Sequence, residues 1–229
     1  MKDISLIAFD ADDTLWECQT YFEAVEKGYC KLLSGYAPAE DVSKALFAVE
    51  TANMPLLGYG SKAFLLSLLE NAINVSDEKL KADEVKKIIE LGKELLKLPG
   101  KPMDGVEETL RVLRDSGKYH LVVFTKGELL DQENKFHRSG LSSYFDDIIV
   151  VSDKTEKSYH QLCERFSIDV GQLLMVGNSF RSDIEPVLKL GGWAAYVPFH
   201  TIWQHEIVEE YEHPHLLKLE FFRQLKYVL

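Results

Sequence analysis

Ile4-Ser-Leu-Ile-Ala-Phe-Asp-Ala-Asp-Asp-Thr-Leu-Trp16 is the stretch that decides the fold. Its apolar residues predict a short buried strand, and that strand ends directly in acidic residues. Asp10 and Asp12 stand two positions apart, so an extended chain delivers both carboxylates to the same side of a sheet edge. Like charges this close repel each other unless a cation or a bound ligand compensates them. The stretch therefore predicts a site for a divalent cation and a phosphate group, with an aspartate as the nucleophile.

Two simpler interpretations of the acidic cluster compete with this one. Acidic residues after a strand often form a turn, in which Asp-Asp-Thr serves as a helix cap. A calcium-binding loop also has acids at alternate positions, but it needs Gly at its sixth position and Glu at its twelfth. Leu15 and Tyr21 stand at those positions here. The choice between a phosphate site and these simpler interpretations then depends on the later strands. A phosphate site requires that they supply a hydroxyl group, a cation and a further carboxylate.

Four further apolar runs are typical of buried strands, because each is short and shows no alternation of polar and apolar residues. Stretches with helical periodicity separate them. This order predicts right-handed crossovers and an α/β, Rossmann-like parallel sheet of about five strands with helices on both faces. Such sheets carry their sites at the carboxyl ends of the strands. The predicted strands span 119–125, 147–152, 172–177 and 193–198, and the helices span 106–116, 128–139, 155–166 and 182–190.

The part of the chain between Trp16 and about Pro102 has a different pattern, with three or four amphipathic helices and no convincing strand. We therefore predict a core formed by residues 1–16 and 102–229, with an all-helical insertion of residues 17–101. After residue 199 the tail is expected to be irregular, with a final helix near residues 219–228.

Composition narrows the class of protein. A chain of 229 residues can form one domain with an insertion, or two domains. The formal net charge of −11 disfavours nucleic acid and anionic membrane surfaces as partners, because they would be repelled. No apolar run approaches the roughly 20 residues needed to span a bilayer. Cys18, Cys30 and Cys163 form no CxxC pair, which indicates reduced thiols and a cytoplasmic location.

The residues that end the predicted strands supply every group that the first strand lacked. Phosphoryl transfer needs a nucleophile held in line, with cations and hydrogen-bond donors around the phosphoryl oxygens. A carboxylate, a hydroxyl group and a lysine meet these needs. The strand ends carry Asp10 and Asp12, then Thr125-Lys126-Gly127, then Ser152-Asp153-Lys154, and then Gly177-Asn178-Ser179 followed by Asp183.

This ordered set resembles the haloacid dehalogenase (HAD) superfamily. Its phosphatases carry DxDxT after the first strand, Thr or Ser after the second, Lys after the next, and acids in a GDxxxD-like pattern after the fourth. The helical insertion matches the position of that family's type 1 cap, between the first two motifs. The resemblance covers nearly the whole chain.

The resemblance implies a role for each motif residue. Asp10 is implied to attack phosphorus and become an aspartyl phosphate, and Asp12 to act as general acid and base. Lys154 is implied to pair with both the phosphate and Asp10; Lys157 is the alternative, but it falls inside the following helix. The further groups implied to bind phosphate are the Thr125 hydroxyl and backbone N–H groups near Ala11, Asp12 and Lys126.

The resemblance also implies Mg²⁺, since the expected ligands are all oxygens. They are the Asp10 carboxylate, the Asp12 backbone carbonyl and the side chains of Asn178 and Asp183. Asn178 departs from the family pattern, because an Asp is usual there. Its amide oxygen can coordinate a cation but carries no charge, so we expect a weaker affinity for Mg²⁺ than two acids would give.

The function expected from these features is Mg²⁺-dependent hydrolysis of small phosphomonoesters. A phosphomutase and a haloacid dehalogenase share the fold, although the dehalogenases lack the second acid of the first motif, here Asp12. A receiver domain that acts as a phosphorylation switch is the alternative from another class, but its phosphorylated Asp follows the third strand. We expect a small phosphorylated metabolite as the partner, no nucleic acid or membrane, and a monomer or weak homodimer.

Overall fold

The computed structural model describes residues 3–229, which divide into two compact units. One unit contains the chain up to Gln19 together with Pro99–Leu229, and the other contains Thr20–Leu98. The boundaries predicted from the sequence, after residue 16 and before residue 102, each lie three residues from these divisions. In residues 3–229, no helix combines the length and the apolar character needed to cross a bilayer.

The first unit is built on a parallel sheet of six strands in the order β3-β2-β1-β4-β5-β6. This confirms the predicted α/β fold. The sheet places β1 between β2 and β4, so residues that follow these three strands meet at one edge. The strands are β1 Leu6–Phe9, β2 His120–Lys126, β3 Asp147–Val151, β4 Leu173–Gly177, β5 Trp193–Tyr196 and β6 Leu216–Lys218.

Helices cover both faces of this sheet. Ile7 and Phe9 of β1 pack into one apolar cluster and Leu6 and Ala8 into another, so the strand is buried on both sides. This explains why the strands read as continuous apolar runs. The helices of this unit are α5 Val106–Asp115, α6 Leu129–Ser139, α7 Glu156–Phe166, α8 Glu185–Lys189 and α9 Leu225–Val228.

The tail differs from the prediction. Leu216–Lys218 adds a sixth strand, which pairs with β5 from Ala194 to Tyr196. Three residues are too few to show a period, so only the open edge of β5 defines this strand. The final helix α9 begins at Leu225, later than the predicted 219, because the preceding residues Phe222–Gln224 form a 3₁₀ turn.

The second unit contains four helices, α1 Gln19–Leu32, α2 Ala39–Leu57, α3 Ser61–Val75 and α4 Ala82–Leu95, the first of which begins at the unit boundary. Their apolar faces form one cluster that includes Tyr29, Leu46 and Leu68. Helix α2 extends through Pro55 and ends before Gly58, whose φ of 71° is one that glycine tolerates best.

Candidate functional site

A buried ion cluster lies at the carboxyl end of the sheet. Asp10 follows β1 directly, and its N–H donates to Val176 O at 2.8 Å. The Lys154 ammonium lies 2.5 Å from Asp10 Oδ1 and 2.6 Å from Asp183 Oδ1. All three side chains are at most 10 % exposed. One cation therefore bridges two carboxylates that come from distant parts of the sequence.

The charges in this cluster control each other's protonation. Burial opposes a charged Lys154, but the two carboxylates outweigh burial and raise its pKa, so the lysine stays protonated. Burial raises the pKa of Asp183 to about 7, and the nearby Asp10 carboxylate adds to this effect against the opposing influence of Lys154. When both carboxylates are ionised, the cluster has one more negative charge than positive, and a further cation would stabilise that state.

Oxygen atoms from three residues meet beside the ion cluster. Thr14 Oγ1 donates to Asp10 Oδ2 at 3.0 Å and lies 3.1 Å from the Asn178 side chain. If the Asn178 amide turns its nitrogen inward, it donates to Thr14 Oγ1 at 3.1 Å, to Asp10 Oδ2 at 3.2 Å and to the Asp12 carbonyl at 3.2 Å. In the opposite orientation, the amide turns its oxygen toward these three oxygen atoms.

This oxygen group fits a hard divalent cation. Adjacent ligands of an octahedral Mg²⁺ lie about 3 Å apart, close to the spacing around the Asn178 amide. Residues 3–229 contain no group of three or more His, Cys, Asp or Glu side chains that could hold a metal ion. The donors here are different, namely a carboxylate oxygen of Asp10, the Asp12 carbonyl and an amide oxygen of Asn178, and oxygen donors are what Mg²⁺ prefers.

Asp183 is held differently from Asn178. Its Oδ1 accepts from Lys154, and its Oδ2 accepts from the Ser179 N–H at 3.0 Å. Asp183 belongs to a π-helical turn, Phe180–Ile184, and irregular turns of this kind are frequent at functional sites. A Cβ atom on Gly177 would lie 2.2 Å from Asp183 Oδ2, so the carboxylate occupies the space that glycine leaves open.

The Asp12 carboxylate is fully engaged by the protein. Lys135 Nζ lies 2.7 Å from Oδ1 and 2.6 Å from Oδ2, Trp16 Nε1 donates to Oδ1 at 2.8 Å, and Gln132 Nε2 donates to Oδ2 at 2.9 Å. Burial would raise the pKa of Asp12, but the charge of Lys135 and these hydrogen bonds outweigh burial and lower it. Asp12 is thus held as a carboxylate.

Sequence reasoning missed Lys135 and Gln132, which lie inside helix α6. This helix buries Asp131, Gln132 and Lys135, whereas Leu129 and Leu130 are exposed. The buried polar residues are three and four positions apart, which places them on one face of the helix. Polar residues at this spacing form a stripe along one face of α6, and the two leucines lie off that stripe. This pattern in the sequence could have indicated that the polar face of α6 is turned toward a charged site.

Asp13 caps a helix, as one of the simpler interpretations of the acidic cluster predicted. Its carboxylate accepts from the backbone N–H groups of Cys18 at 2.7 Å and Gln19 at 3.0 Å, where helix α1 begins. Burial raises its pKa to about 7, although these hydrogen bonds oppose the shift. The acidic cluster therefore contains a cap residue, Asp13, and one member of the ion cluster, Asp10.

The remaining predicted residues lie at the same sheet edge but in different surroundings. Thr125 is buried, and its hydroxyl donates to Lys126 O at 3.4 Å. Lys126 Nζ pairs closely with Glu206 and donates to Ser182 Oγ at 3.0 Å. Lys157, the alternative lysine, is exposed. A role for Lys126 in binding phosphate stays a prediction.

Ala11 contributes through its backbone. Its carbonyl accepts from the N–H groups of Leu15 at 2.8 Å and Thr14 at 3.3 Å, which folds the chain into a tight turn. Among the turn and loop hydrogen bonds of residues 3–229, none uses the N–H of Ala11 or Asp12. These two donors therefore resemble the backbone groups that cradle anions in other turns.

Comparisons with known proteins identify the family and agree with the fold. A family described as haloacid dehalogenase-like hydrolase matches residues 4–191. A crystal structure of a haloacid dehalogenase-like family hydrolase from Xanthomonas campestris superposes with a TM-score of 0.89 at 34 % identity, covering 99 % of this chain and 90 % of that one. A 2-haloacid dehalogenase from Pseudomonas syringae pv. tomato shares the fold, with a TM-score of 0.67, 20 % identity, and coverage of 98 % and 97 %.

A curated relative adds a phosphatase to the comparison. N-acylneuraminate-9-phosphatase from Mus musculus is 27 % identical over 93 residues, which are 38 % of this chain and 37 % of that protein. The chain thus matches little more than a third of the curated relative's length. The family match, by contrast, covers most of the chain and confirms the resemblance inferred from the strand-end motifs. The protein belongs to the haloacid dehalogenase-like hydrolase family.

Proposed function

We propose that the protein is a Mg²⁺-dependent phosphatase that hydrolyses small phosphomonoesters through an aspartyl-phosphate intermediate. The observation that carries the proposal is the state of Asp10. This carboxylate ends β1, pairs with a buried lysine at 2.5 Å and turns its other oxygen to the oxygen group around Asn178. A carboxylate nucleophile must be fixed in direction, and the contact with Lys154 supports this.

Phosphate binding in this proposal uses backbone and side-chain donors together. The N–H groups of Ala11 and Asp12 would donate to the phosphoryl oxygens, as would the Thr125 hydroxyl. The ammonium of Lys154 would share its charge between Asp10 and the incoming phosphate. Donors placed in advance at a buried site stabilise the charge of the transition state more than mobile water does.

Proton transfer in this proposal falls to Asp12, and the geometry puts a condition on it. All four hydrogen bonds to its carboxylate come from protein side chains, namely Lys135, Gln132 and Trp16. Asp12 must therefore leave Lys135 and take up a proton from solvent before it can protonate a leaving alkoxide. Once turned to the substrate, the same carboxylate would activate the water that hydrolyses the intermediate.

The residues that would hold Mg²⁺ are Asp10, Asn178 through its amide oxygen, and Asp12 through its carbonyl. Asp183 would act mainly through its charge or through a bound water, because both of its oxygens already accept hydrogen bonds from the protein. When bound, the cation would neutralise negative charge on the phosphoryl oxygens. The proposed substrate is a small phosphorylated metabolite in the cytoplasm, and the proposed form is a monomer or weak homodimer.

A substrate panel tests the proposal. Wild-type protein is incubated with sugar phosphates, nucleoside monophosphates and p-nitrophenyl phosphate, with Mg²⁺ and with EDTA, and released phosphate is measured. We expect Mg²⁺-dependent hydrolysis of at least one compound, and a loss of about 10³-fold or more in Asp10→Asn. Asp115→Asn, an exposed aspartate at the end of α5, is the matched control and should be unaffected.

Three results would overturn the proposal. Hydrolysis retained in Asp10→Asn would remove Asp10 as the nucleophile. Chloride release from 2-chloropropionate, without hydrolysis of any phosphomonoester, would show a dehalogenase instead. A long-lived phosphoprotein after incubation with acetyl phosphate, again without turnover, would show a phosphorylation switch.

A further inference from the structure

Glu206 is a carboxylate at the candidate site to which the motifs assign no role. It belongs to the 3₁₀ turn Gln204–Glu206 that follows β5, and its side chain is only 10 % exposed. Oε1 accepts closely from Lys126 Nζ, and Oε2 accepts closely from Ser179 Oγ. Ser182 Oγ lies 2.8 Å from Oε2 and 3.1 Å from Oε1. Both carboxylate oxygens are thus fully used.

The three partners of Glu206 come from two different strand ends. Lys126 is the last residue of β2 and follows Thr125. Ser179 and Ser182 belong to the loop after β4, between Asn178 and Asp183. The partners also bond to each other, since Lys126 Nζ donates to Ser182 Oγ at 3.0 Å and the Ser182 N–H donates to Ser179 Oγ at 3.0 Å. One carboxylate therefore joins two loops.

The charge of Glu206 is stabilised where it lies. Burial would raise its pKa, but the Lys126 charge and the hydrogen bonds from Lys126, Ser179 and Ser182 outweigh burial and lower it. The segment that carries Glu206 has anchors of its own, because Arg181 donates to His205 O at 2.6 Å and Trp203 lies beside Lys126. Removal of the carboxylate alone should therefore leave the tail in place.

A buried ion pair is weak evidence of stability, because desolvation of the two charges offsets most of their attraction. Such a pair does define the local geometry, because each donor must lie where it can reach the buried carboxylate. Without Glu206, two serine hydroxyls would lose their acceptor and a lysine would lose its counter-charge. The loop between Asn178 and Asp183 would keep the contact of Asp183 with Lys154 and the hydrogen bonds from the Tyr159 hydroxyl to its backbone carbonyls. It would lose the carboxylate that ties its two serines to Lys126 at the end of β2.

We propose that Glu206 is a positioning residue, which holds the π-helical loop carrying Asn178 and Asp183 against the end of β2. Its effect on catalysis, a fixed placement of the oxygen ligands, rests on the proposed function. Its effect on the loop does not, because all of its contacts are to side chains of the protein.

Hydrogen–deuterium exchange of the metal-free protein tests the loop. The comparison uses wild type, Glu206→Ala, Glu206→Gln and the control Glu209→Ala, an exposed glutamate three residues on. We expect amide exchange in residues 178–184 to accelerate about tenfold or more in Glu206→Ala. Glu206→Gln should change less, because its amide oxygen still accepts from the serines, and Glu209→Ala should match wild type.

Titration with Mg²⁺, followed by calorimetry and by phosphatase kinetics, gives the second measurement. Glu206→Ala should bind Mg²⁺ about tenfold more weakly and recover most of its kcat at saturating Mg²⁺, a pattern that a general loss of stability would not produce. Unchanged exchange in both Glu206 variants would overturn the proposal, as would faster exchange with unaltered Mg²⁺ affinity. Wild type that neither binds Mg²⁺ nor hydrolyses phosphomonoesters, with faster exchange in Glu206→Ala, would overturn only the proposed function.

Discussion

The two units of this protein bury different kinds of side chain. The sheet unit buries charged groups near its strand ends, among them Asp10, Asp131, Lys135, Lys154 and Asp183. Among the described residues of the helical unit, every buried polar side chain is uncharged. Four ion pairs of this unit are exposed, namely Lys79–Asp77, Lys87–Asp83, Lys93–Glu90 and Lys97–Glu94.

This difference separates what stabilises a fold from what performs chemistry. An apolar cluster gains free energy from burial at about 25 cal/mol per Å². A buried charge loses several kcal/mol unless a partner compensates it. The sheet unit tolerates that loss at one edge, which is where perturbed ionisable groups mark a functional site. The following predictions test this contrast.

The largest effect is expected from Lys154→Met. This change leaves Asp10 and Asp183 without their shared cation, and loss of one partner of a buried pair typically costs 3–5 kcal/mol. Urea unfolding of the metal-free protein at pH 8 measures the loss. The control is Lys157→Met, at an exposed position one helical turn on, which should change stability by less than about 0.5 kcal/mol. Equal losses in the two variants would contradict the assignment.

In the helical unit, the largest effect is expected from an apolar truncation. Leu68 is fully buried in the cluster of that unit, so Leu68→Ala should lower the free energy of unfolding by about 2–4 kcal/mol through lost burial and a cavity. Leu66→Ala, on the same helix but half exposed, should cost less than about 1 kcal/mol. Urea unfolding monitored by circular dichroism compares them, and a Leu66 loss as large as that of Leu68 would argue against the packing described.

Two double-mutant cycles compare a buried ion pair with an exposed one. For Asp12→Asn with Lys135→Met, we expect a coupling energy of about 1–3 kcal/mol, because the pair is largely shielded from water. For Glu94→Gln with Lys97→Met in helix α4 and just after it, we expect about 0.5 kcal/mol or less. Unfolding free energies of all single and double variants provide the two values, and similar couplings would remove the contrast between the units.

The smallest effect concerns the one strongly perturbed carboxylate of the helical unit. Burial, with a contribution from Glu26, raises the pKa of Glu50 to about 7 from its ordinary 4.5. The folded state therefore holds this proton to higher pH than the unfolded state does, and stability falls as pH rises from about 4.5 to 7. Glu50→Gln avoids that loss, so it should be more stable than wild type by about 1 kcal/mol at pH 8.

This gain should shrink steadily as the pH falls toward 4.5. Thermal unfolding between pH 5 and pH 8 provides the profile. Glu70→Gln is the control, because this residue is exposed and glutamine can still accept the hydrogen bond from Asn53. A Glu50→Gln gain that did not depend on pH would show that ionisation of Glu50 is not its source.

The sequence predicts the parts of this protein that depend on local pattern. Uninterrupted apolar runs alternating with helical stretches indicate a parallel sheet, and a parallel sheet brings its strand ends together. Asp10, Lys154 and Asp183 could therefore be expected near one another, although they are far apart in the chain. In the structure, the Lys154 ammonium lies within hydrogen-bond distance of both carboxylates.

The residues that escaped prediction are those whose environment depends on packing. Lys135 lies mid-helix, where a lysine is ordinarily solvated, and its burial depends on nearby negative charge, chiefly that of Asp12. Glu206 lies in an irregular tail with no period to interpret, and its partners become neighbours only after β2 and β4 are in place. Side chains that are buried as counter-charges leave no apolar pattern in the sequence, so their position follows from the fold.

Gly177 has a consequence for how this chain can evolve. A side chain at position 177 would collide with the Asp183 carboxylate, and a smaller residue at 183 would deprive Lys154 of a partner. Neither position can change first without harm, so the effect of a substitution at one depends on the residue at the other. The two positions should therefore be inherited as a pair, even though five residues separate them in the chain.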